Sequence, residues 1–200
     1  MKIILATHNK GKVREISDLM RGLPVEWLSA SDFPDVPPTI ESGDTLEENS
    51  LLKAQALSKA AGLPAVADDS GLFVDSLKGE PGVHSARYAG PKCNDADNVQ
   101  KLLEEMTAVR DSQRGAAFRT VVTIVWPGEN PVYLAGEIKG KITKNPKGTA
   151  GFGYDPVFQP EGYDRVFAEM TLEEKNAISH RARAFAKVKA WLVKRLVSNS

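Results

Sequence analysis

The chain has 200 residues and a mass of 21.7 kDa, which is enough for one domain with a sizeable core. Lys and Arg number 26, and Asp and Glu also number 26, so the net charge of zero argues against a protein that mainly coats nucleic acid or a membrane. The one cysteine, Cys93, excludes an intrachain disulfide and a multi-cysteine zinc site, and no apolar run approaches the ~20 residues of a membrane helix. We therefore expect a cytoplasmic protein.

The N-terminal segment predicts a strand, a polar loop and a helix. Residues 2–6 form a short apolar strand pattern, and residues 7–12 are polar with one glycine. Helical spacing then places four apolar side chains on one side: Val13, Ile16, Leu19 and Met20. This order is typical of a phosphate site in α/β proteins because the start of a helix offers free N–H groups. A polar turn between a strand and a helix explains the same loop without any ligand.

A second helix is predicted to start near Thr45 and to stop at residues 62–64. Thr45 and Glu48 have the spacing of a capping box, which gives Glu48 a structural role. Glu41, in the irregular connection over residues 31–44, has no such role. If the protein binds a metal ion, Glu41 is therefore the better candidate ligand of the two.

Two adjacent carboxylates, Asp68 and Asp69, follow the short apolar strand predicted over residues 65–67. Such neighbours repel each other unless a cation or ordered donors offset their charge. Mg²⁺ usually takes one or two carboxylates and leaves its other positions to water and phosphate. The sequence Asp-Ser-Gly over residues 69–71 is also a common turn formula, so a structural reading stays open.

The rest of the chain alternates between elements and long loops. Residues 79–93 are rich in Gly and Pro, and Asn94 or Asp95 can cap a helix that runs to about Met106. Residues 118–126 and 132–142 predict a half-buried hairpin around the turn at 127–130. A Gly-rich loop over 148–156 and one long helix from about Leu172 to Val197 complete a single α/β or α+β domain, residues 1–200.

Two further features suit a planar or anionic ligand and also have ordinary explanations. Phe152 lies among glycines, where an aromatic ring can stack on a base and Asp155 can accept hydrogen bonds from the base edge. Phe152 can equally pack the loop onto the body of the protein. The last helix is basic, and His180 and Arg181 near its start offer donors, although such a helix face is usually only solvated.

Six segments in this order resemble the motifs of the inosine/xanthosine triphosphate pyrophosphatases, in their bacterial form. They run from residue 7 to residue 181, so the resemblance covers most of the chain. The segments are Thr7-His8-Asn9-Lys10-Gly11-Lys12, Thr45-Leu46-Glu47-Glu48-Asn49 with Lys53, Ala67-Asp68-Asp69-Ser70-Gly71-Leu72, Ser85-Ala86-Arg87-Tyr88-Ala89-Gly90, Gly151-Phe152-Gly153-Tyr154-Asp155-Pro156 and Glu174-Lys175-Asn176-Ala177-Ile178-Ser179-His180-Arg181.

The resemblance implies a mixed α/β fold of two lobes around an extended, twisted mixed sheet, with the nucleotide in the cleft between them. It also implies a homodimer that requires Mg²⁺. The implied reaction cleaves ITP, dITP and XTP between the α- and β-phosphates, gives the monophosphate and pyrophosphate, and clears deaminated purines from the nucleotide pool.

Carried over position by position, the resemblance assigns roles to individual residues. The triphosphate is bound by Thr7, His8, Asn9, Lys10, Gly11 and Lys12. Asp69 is the general base and a metal ligand, Glu41 is the second metal ligand with Glu48 as the alternative, and Lys53 adds positive charge near the phosphates. The nucleotide is bound by Ser70, Phe152, Gly153, Tyr154, Asp155, Lys175, His180 and Arg181, with Phe152 stacked on the purine.

Three other functions compete with this one. A related pyrophosphatase for modified pyrimidine or methylated nucleotides predicts the same metal and product with a different base. A nucleotide- or RNA-binding module without enzymatic activity would use the basic last helix, but it leaves Asp68 and Asp69 unexplained. A phosphatase that releases orthophosphate differs in its product.

Overall fold

The computed structural model describes residues 1–198, which form seven strands and five α-helices. The strands are β1 (Lys2–Leu5), β2 (Glu26–Ser29), β3 (Ala65–Val74), β4 (Pro81–Gly82), β5 (Gly115–Val125), β6 (Val132–Ile142) and β7 (Phe158–Pro160). The helices are α1 (Lys10–Leu19), α2 (Leu46–Ala61), α3 (Asp95–Glu105), α4 (Leu172–Ile178) and α5 (His180–Ser198). Within residues 1–198, no helix combines the length and the apolar character needed to cross a membrane.

All seven strands belong to one mixed sheet with the order β2-β1-β3-β5-β6-β7, and β4 pairs with β3 beside this path. Strand β1 runs parallel to both β2 and β3, whereas the pairs β3–β4 and β6–β7 are antiparallel. The predicted mixed α/β fold with an extended mixed sheet is therefore confirmed.

Contacts divide the chain into two compact units. Unit 1 comprises Met1–Asp69, Thr120–Gly136 and the described part of Arg181–Ser200, and unit 2 comprises Ser70–Arg119 and Glu137–His180. Strands β3, β5 and β6 each contribute residues to both units, since the unit boundaries fall inside them.

Each unit has its own apolar core. In unit 1 the alternation of β1 places Ile3 against the side chains of α1 and α5, and Ile4 against those of α2. In unit 2, side chains of α3, β5 and β6 pack together with Phe158 and Phe167. The predicted hairpin is confirmed, since β5 and β6 are neighbours in the sheet. Strand β6 is half-buried as predicted, with Ile138 and Ile142 in this core and Lys139 and Lys141 exposed, whereas β5 is buried almost throughout.

Two predicted elements differ in the structure. Strand β3 continues to Val74, so the predicted end of the strand at residue 67 is wrong. Asp68 and Asp69 lie inside the strand, and residues 69–71 do not form the turn that was left open as an alternative. The pairing of β3 with β5, and of residues 72–73 with β4, explains why the chain stays extended. The single helix predicted from about Leu172 to Val197 is two helices, because Ser179 has an extended backbone with ψ of 159° between α4 and α5.

Three short strands were not predicted. Strands β2, β4 and β7 have four, two and three residues, too few for an apolar alternation to stand out. Helix α3 agrees with its prediction, and the structure identifies Asn94 as the N-cap residue.

Candidate active site

The loop over residues 7–12 joins β1 to α1 in unit 1. Asn9 is the N-cap residue of α1, and its Oδ1 accepts a hydrogen bond from the Lys12 amide at 3.1 Å. The Thr7 Oγ1 accepts one from the Asn9 amide at 3.2 Å. The amides of Lys10 and Gly11 then open the helix, where the first N–H groups have no intrahelical acceptor. These contacts preform a loop that is suited to an anion.

Asp68 and Asp69 lie where β3 extends past the end of β1. Strand β1 ends with Leu5 beside Val66, and the loop over residues 7–12 begins at that same end. Adjacent residues of a strand point to opposite faces. The two carboxylates therefore serve different groups of side chains within unit 1.

Asp68 is buried in a network of charged groups. Its Oδ2 lies 3.0 Å from the Lys12 ammonium and 3.2 Å from Nη2 of Arg181, while Nη1 of Arg181 lies 2.5 Å from Oε2 of Glu15. Burial alone would raise the pKa of Asp68, but the charges of Lys12 and Arg181 outweigh it and hold this pKa well below its usual range. Asp68 thus stays ionised and holds Lys12 and Arg181 in place.

Asp69 faces Lys53 and Glu41. The Lys53 ammonium contacts Oδ1 of Asp69 at 2.7 Å and Oε1 of Glu41 at 2.9 Å. Burial raises the pKa of Asp69 more than the Lys53 charge lowers it, so this carboxylate is a stronger base than an exposed aspartate. Burial would lower the pKa of Lys53, but Asp69 and Glu41 raise it overall. The Thr120 hydroxyl fixes the backbone here by donating to the Asp69 carbonyl at 2.8 Å.

The structure gives Glu41 and Glu48 different surroundings. Oε2 of Glu48 accepts from the amides of Asp44 at 2.7 Å and Thr45 at 3.2 Å, as a capping-box residue does. Glu41 shares the Lys53 ammonium with Asp69. Asn49 of α2 makes two hydrogen bonds with Gly43, which lies between Glu41 and this helix.

The donor set of Glu41 and Asp69 fits a magnesium ion. Their carboxylates converge on one cationic group, and carboxylate oxygens are what Mg²⁺ prefers. No group of three or more His, Cys, Asp or Glu side chains in residues 1–198 is arranged to hold a metal. An ion here would therefore complete its coordination with water and phosphate oxygens, as Mg²⁺ commonly does.

In unit 2, the Gly-rich loop is built around the buried carboxylate of Asp155. Its Oδ2 accepts from the Phe152 amide at 2.9 Å and from the Lys175 ammonium at 2.5 Å. Gly151 has a φ of 80°, and a β-carbon there would clash with this carboxylate, so only glycine fits. Lys175 also lies over the Phe152 ring, 4.9 Å from its centroid.

Other expected binding residues of unit 2 hold the loop and its surroundings together. Tyr154 is buried, and its hydroxyl donates to the Ser85 carbonyl at 2.9 Å. His180 is buried and stacks on Phe118, with ring centroids 4.7 Å apart. Ser70 is half-buried in β3.

The structure thus brings most of the expected residues into two groups. Unit 1 holds the loop over residues 7–12 with Glu41, Lys53, Asp69 and Arg181, and unit 2 holds residues 152–155 with Ser70, Lys175 and His180. Sequence reasoning missed Glu15, whose carboxylate is buried against Arg181. Little in the sequence distinguishes Glu15, since it is one of several charged residues in α1. It also missed Asp95, which accepts from the Gly153 amide at 2.7 Å.

Comparison with known proteins identifies relatives along the whole chain. The sequence model of the Ham1 family matches residues 3–191. A dITP/XTP pyrophosphatase of Geobacter sulfurreducens is 49% identical over 96% of this chain and 96% of that protein. A dITP/XTP pyrophosphatase of Streptomyces coelicolor is 48% identical over 92% of this chain and 93% of that protein.

Solved structures agree with these sequence matches. A HAM1 protein from Coxiella burnetii superposes with a TM-score of 0.89 and 40% identity, over 97% of this chain and 99% of that chain. A nucleoside-triphosphatase (dITP/XTP pyrophosphatase) from Mycobacterium abscessus superposes with a TM-score of 0.77 and 44% identity, over 94% of this chain and 98% of that chain.

Proposed function

The chain belongs to the Ham1 family, and from this premise we propose that it hydrolyses ITP, dITP and XTP to the nucleoside monophosphate and pyrophosphate. One observation carries the proposal: the buried Asp69 carboxylate shares the Lys53 ammonium with Glu41 beside the preformed loop at the start of α1. Relatives that are 48–49% identical over nearly the full chain are dITP/XTP pyrophosphatases, which supports the same reaction.

The side chains of unit 1 match what attack of water on a phosphoryl group requires. The reaction needs positioning, neutralisation of charge and a proton acceptor more than it needs a covalent intermediate. Asp69 accepts the proton of the attacking water, which its raised pKa favours. Lys12 and Lys53 supply positive charge, and the amides that open α1 bind phosphate oxygens together with Thr7, His8 and Asn9.

Glu41 and Asp69 would hold the Mg²⁺ ion. When bound, such an ion neutralises developing charge on phosphate oxygens and orients the substrate. The arrangement of these two carboxylates around one cation supports this assignment, and the capping role of Glu48 makes it the weaker candidate.

The residues of unit 2 would bind the base. Phe152 offers a ring for stacking, and the buried pair of Lys175 and Asp155 sets the position of this ring. Hypoxanthine and xanthine carry a 6-oxo group where adenine carries an amine. A site that donates hydrogen bonds to that oxygen rejects adenine, because an unmet buried donor costs about 1–3 kcal/mol. His180 of unit 2 and its neighbour in the chain, Arg181, which belongs to unit 1, are the proposed donors.

Three further properties complete the proposal. Residues 1–200 act as one nucleotide pyrophosphatase domain, two copies of the chain form a homodimer, and the enzyme works in the cytoplasm. The single cysteine is compatible with a reducing compartment. The net charge of zero gives no support to nucleic acid or a membrane as a partner.

Identification of the products of ITP hydrolysis tests the proposed reaction. In the presence of Mg²⁺, the purified protein should convert ITP to IMP and pyrophosphate in equal amounts, as measured by chromatography. An Asp69→Asn preparation purified in parallel controls for contaminating phosphatases. Release of IDP and orthophosphate would contradict the proposal and identify a phosphatase instead.

A further inference from the structure

The backbone of the loop over residues 148–156 is held by acceptors of unit 2. Oδ2 of Asp155 accepts from the Phe152 amide at 2.9 Å, and Oδ2 of Asp95 accepts from the Gly153 amide at 2.7 Å. Two consecutive amides beside the aromatic ring therefore point at carboxylates of the protein. This loop does not serve as a phosphate cradle, and its role is to present the Phe152 side chain.

Asp95 differs from the other anchors of this loop. Asp155 lies within the loop itself, whereas Asp95 is 58 residues away in sequence, at the first position of α3. A carboxylate in the first turn of a helix also interacts favourably with the helix dipole. The loop is thus attached at its centre to a helix start.

The first turn of α3 is itself rigidly built. Asn94 and Asp97 form a capping box, with Asn94 Oδ1 accepting from the Asp97 amide at 3.0 Å and Asp97 Oδ2 accepting from the Asn94 amide at 2.9 Å. The buried Asn98 holds the preceding segment, since its Oδ1 accepts from the Ala89 amide at 2.8 Å. This turn is therefore a fixed platform from which Asp95 reaches Gly153.

The attachment bears directly on the ring. Gly153 has a φ of 60°, a left-handed conformation, and it is the residue next to Phe152. Release of its amide would free the peptide unit that follows the ring, while the Lys175–Asp155 pair would still hold the side before it. The position of the ring for stacking then depends on Asp95.

We propose that Asp95 is a positioning residue for the base: its carboxylate fixes the Gly153 amide and thereby the stacking geometry of Phe152. This inference rests on the proposed function and adds to it a residue outside the six motifs. Asp95 touches neither the phosphates nor the metal in this account, so its loss should weaken recognition of the base and leave phosphate binding unchanged.

The test compares Asp95→Ala with Asp95→Asn and with Asp97→Ala. Asp97→Ala removes the neighbouring carboxylate and half of the capping box, so it weakens α3 without touching the loop. Asp95→Asn keeps an oxygen that can accept the Gly153 hydrogen bond. Titration with IMP probes binding of the base, and inhibition by inorganic tripolyphosphate, which has no base, probes the phosphate site.

Loss of a hydrogen bond to a charged acceptor should weaken IMP binding by Asp95→Ala about tenfold, with tripolyphosphate inhibition unchanged. Asp95→Asn should recover most of the affinity for IMP, and Asp97→Ala should keep it within about twofold of the parent. Hydrogen exchange of the Gly153 amide should accelerate in Asp95→Ala and not in Asp97→Ala. An unchanged IMP affinity, or equal losses for IMP and tripolyphosphate, would overturn the inference.

The exchange measurement separates this inference from the proposed function. Unchanged exchange at Gly153 in Asp95→Ala overturns the positioning role whether or not the protein hydrolyses ITP. Failure of the parent protein to hydrolyse ITP contradicts the proposed function, while accelerated exchange would still support the attachment of the loop by Asp95.

Discussion

At the scale of single residues, the pKa values of the two neighbouring aspartates of β3 are shifted in opposite directions. Asp68 faces Lys12 and Arg181 and has a lowered pKa, whereas Asp69 has a raised pKa because its burial outweighs the charge of Lys53. The raised pKa makes Asp69 the stronger base of the two, so Asp69 suits the role of proton acceptor better than Asp68 does. Their neighbours are therefore as important as their residue type.

Asp69→Asn should fold normally and lose turnover of ITP by at least ~100-fold, the lower range for removing a general base. Steady-state kinetics measure the loss, and circular dichroism checks the fold. Asp35→Asn, a change of the same type at an exposed position, should retain the parent rate. An Asp69→Asn protein with metal-dependent activity close to that of the parent would remove Asp69 from the mechanism.

Glu41 and Glu48 can be separated by matched changes to glutamine. Glu41→Gln should raise the Mg²⁺ concentration for half-maximal activity about tenfold or more, because a carboxylate beside Asp69 is lost. Glu48→Gln should leave this concentration and the melting temperature almost unchanged, because glutamine keeps the oxygen that accepts in the capping box of α2. The reverse pattern would make Glu48 the metal ligand.

At the scale of elements, a network of charged groups joins α1, β3 and α5 within unit 1. Asp68 of β3 contacts Lys12 of α1 and Arg181 of α5, and Arg181 also contacts Glu15 of α1. Removing one partner of such a buried network leaves uncompensated charge, which costs about 3–5 kcal/mol. The network thus ties three elements together and keeps Lys12 at the loop that it serves.

Because the folded-state pKa of Asp68 is lowered, its stabilising contribution is full above the unfolded-state pKa of about 3.9. The contribution starts to decrease as the pH falls below this value, and it is lost completely only below the folded-state pKa. Asp68→Asn should therefore unfold at a much lower temperature than the parent at pH 7, and the gap should narrow at pH 3. Thermal unfolding at both pH values measures this. Asp111→Asn, which breaks an exposed pair with Lys144, should change little at pH 7. A constant gap between pH 7 and pH 3 would contradict this role of Asp68.

The loop over residues 148–156 holds the ring of Phe152, the proposed stacking surface for the base, on a fixed backbone. Phe152→Ala should weaken substrate binding by roughly 1–3 kcal/mol, the range for stacking of a base on an aromatic side chain. The loss should be seen in KM for ITP and in IMP affinity. Phe152→Tyr keeps the stacking surface and should retain most of the binding. An unchanged KM for Phe152→Ala would mean that the ring only packs the loop against the protein.

Elements with a long pattern of apolar residues could be predicted from the sequence. Elements whose bounds depend on pairing with another strand could not. The hairpin of β5 and β6 follows from two strands of eleven residues each. Strand β5 is rich in β-branched residues and is buried almost throughout, and burial alternates along β6. The continuation of β3 past residue 67 depends on its pairing with β5, which begins only at Gly115, and with β4, a strand of two residues. The break at Ser179 leaves no mark in the helical spacing of the apolar residues around it.

At the scale of the whole molecule, the order of motifs along the chain carries more information than any one motif. Residues 7–12, 41–53 and 68–69 lie in unit 1, and residues 85–90 and 151–156 lie in unit 2. The loop at residues 7–12 was ambiguous as a local pattern. The contacts of Lys12, Lys53 and Arg181 were beyond prediction from spacing, since each joins residues far apart in sequence.

The most direct test of the account is the release of pyrophosphate from ITP, dITP and XTP beside ATP, GTP, CTP and TTP, with and without Mg²⁺. Strong release from the first three that requires Mg²⁺, with little from the other four, is the predicted result. Release of pyrophosphate mainly from a nucleotide with another base would contradict the proposed substrates but would still agree with the reaction proposed for unit 1. If none of the seven nucleotides released pyrophosphate, this would contradict the proposal that the protein is a nucleotide pyrophosphatase.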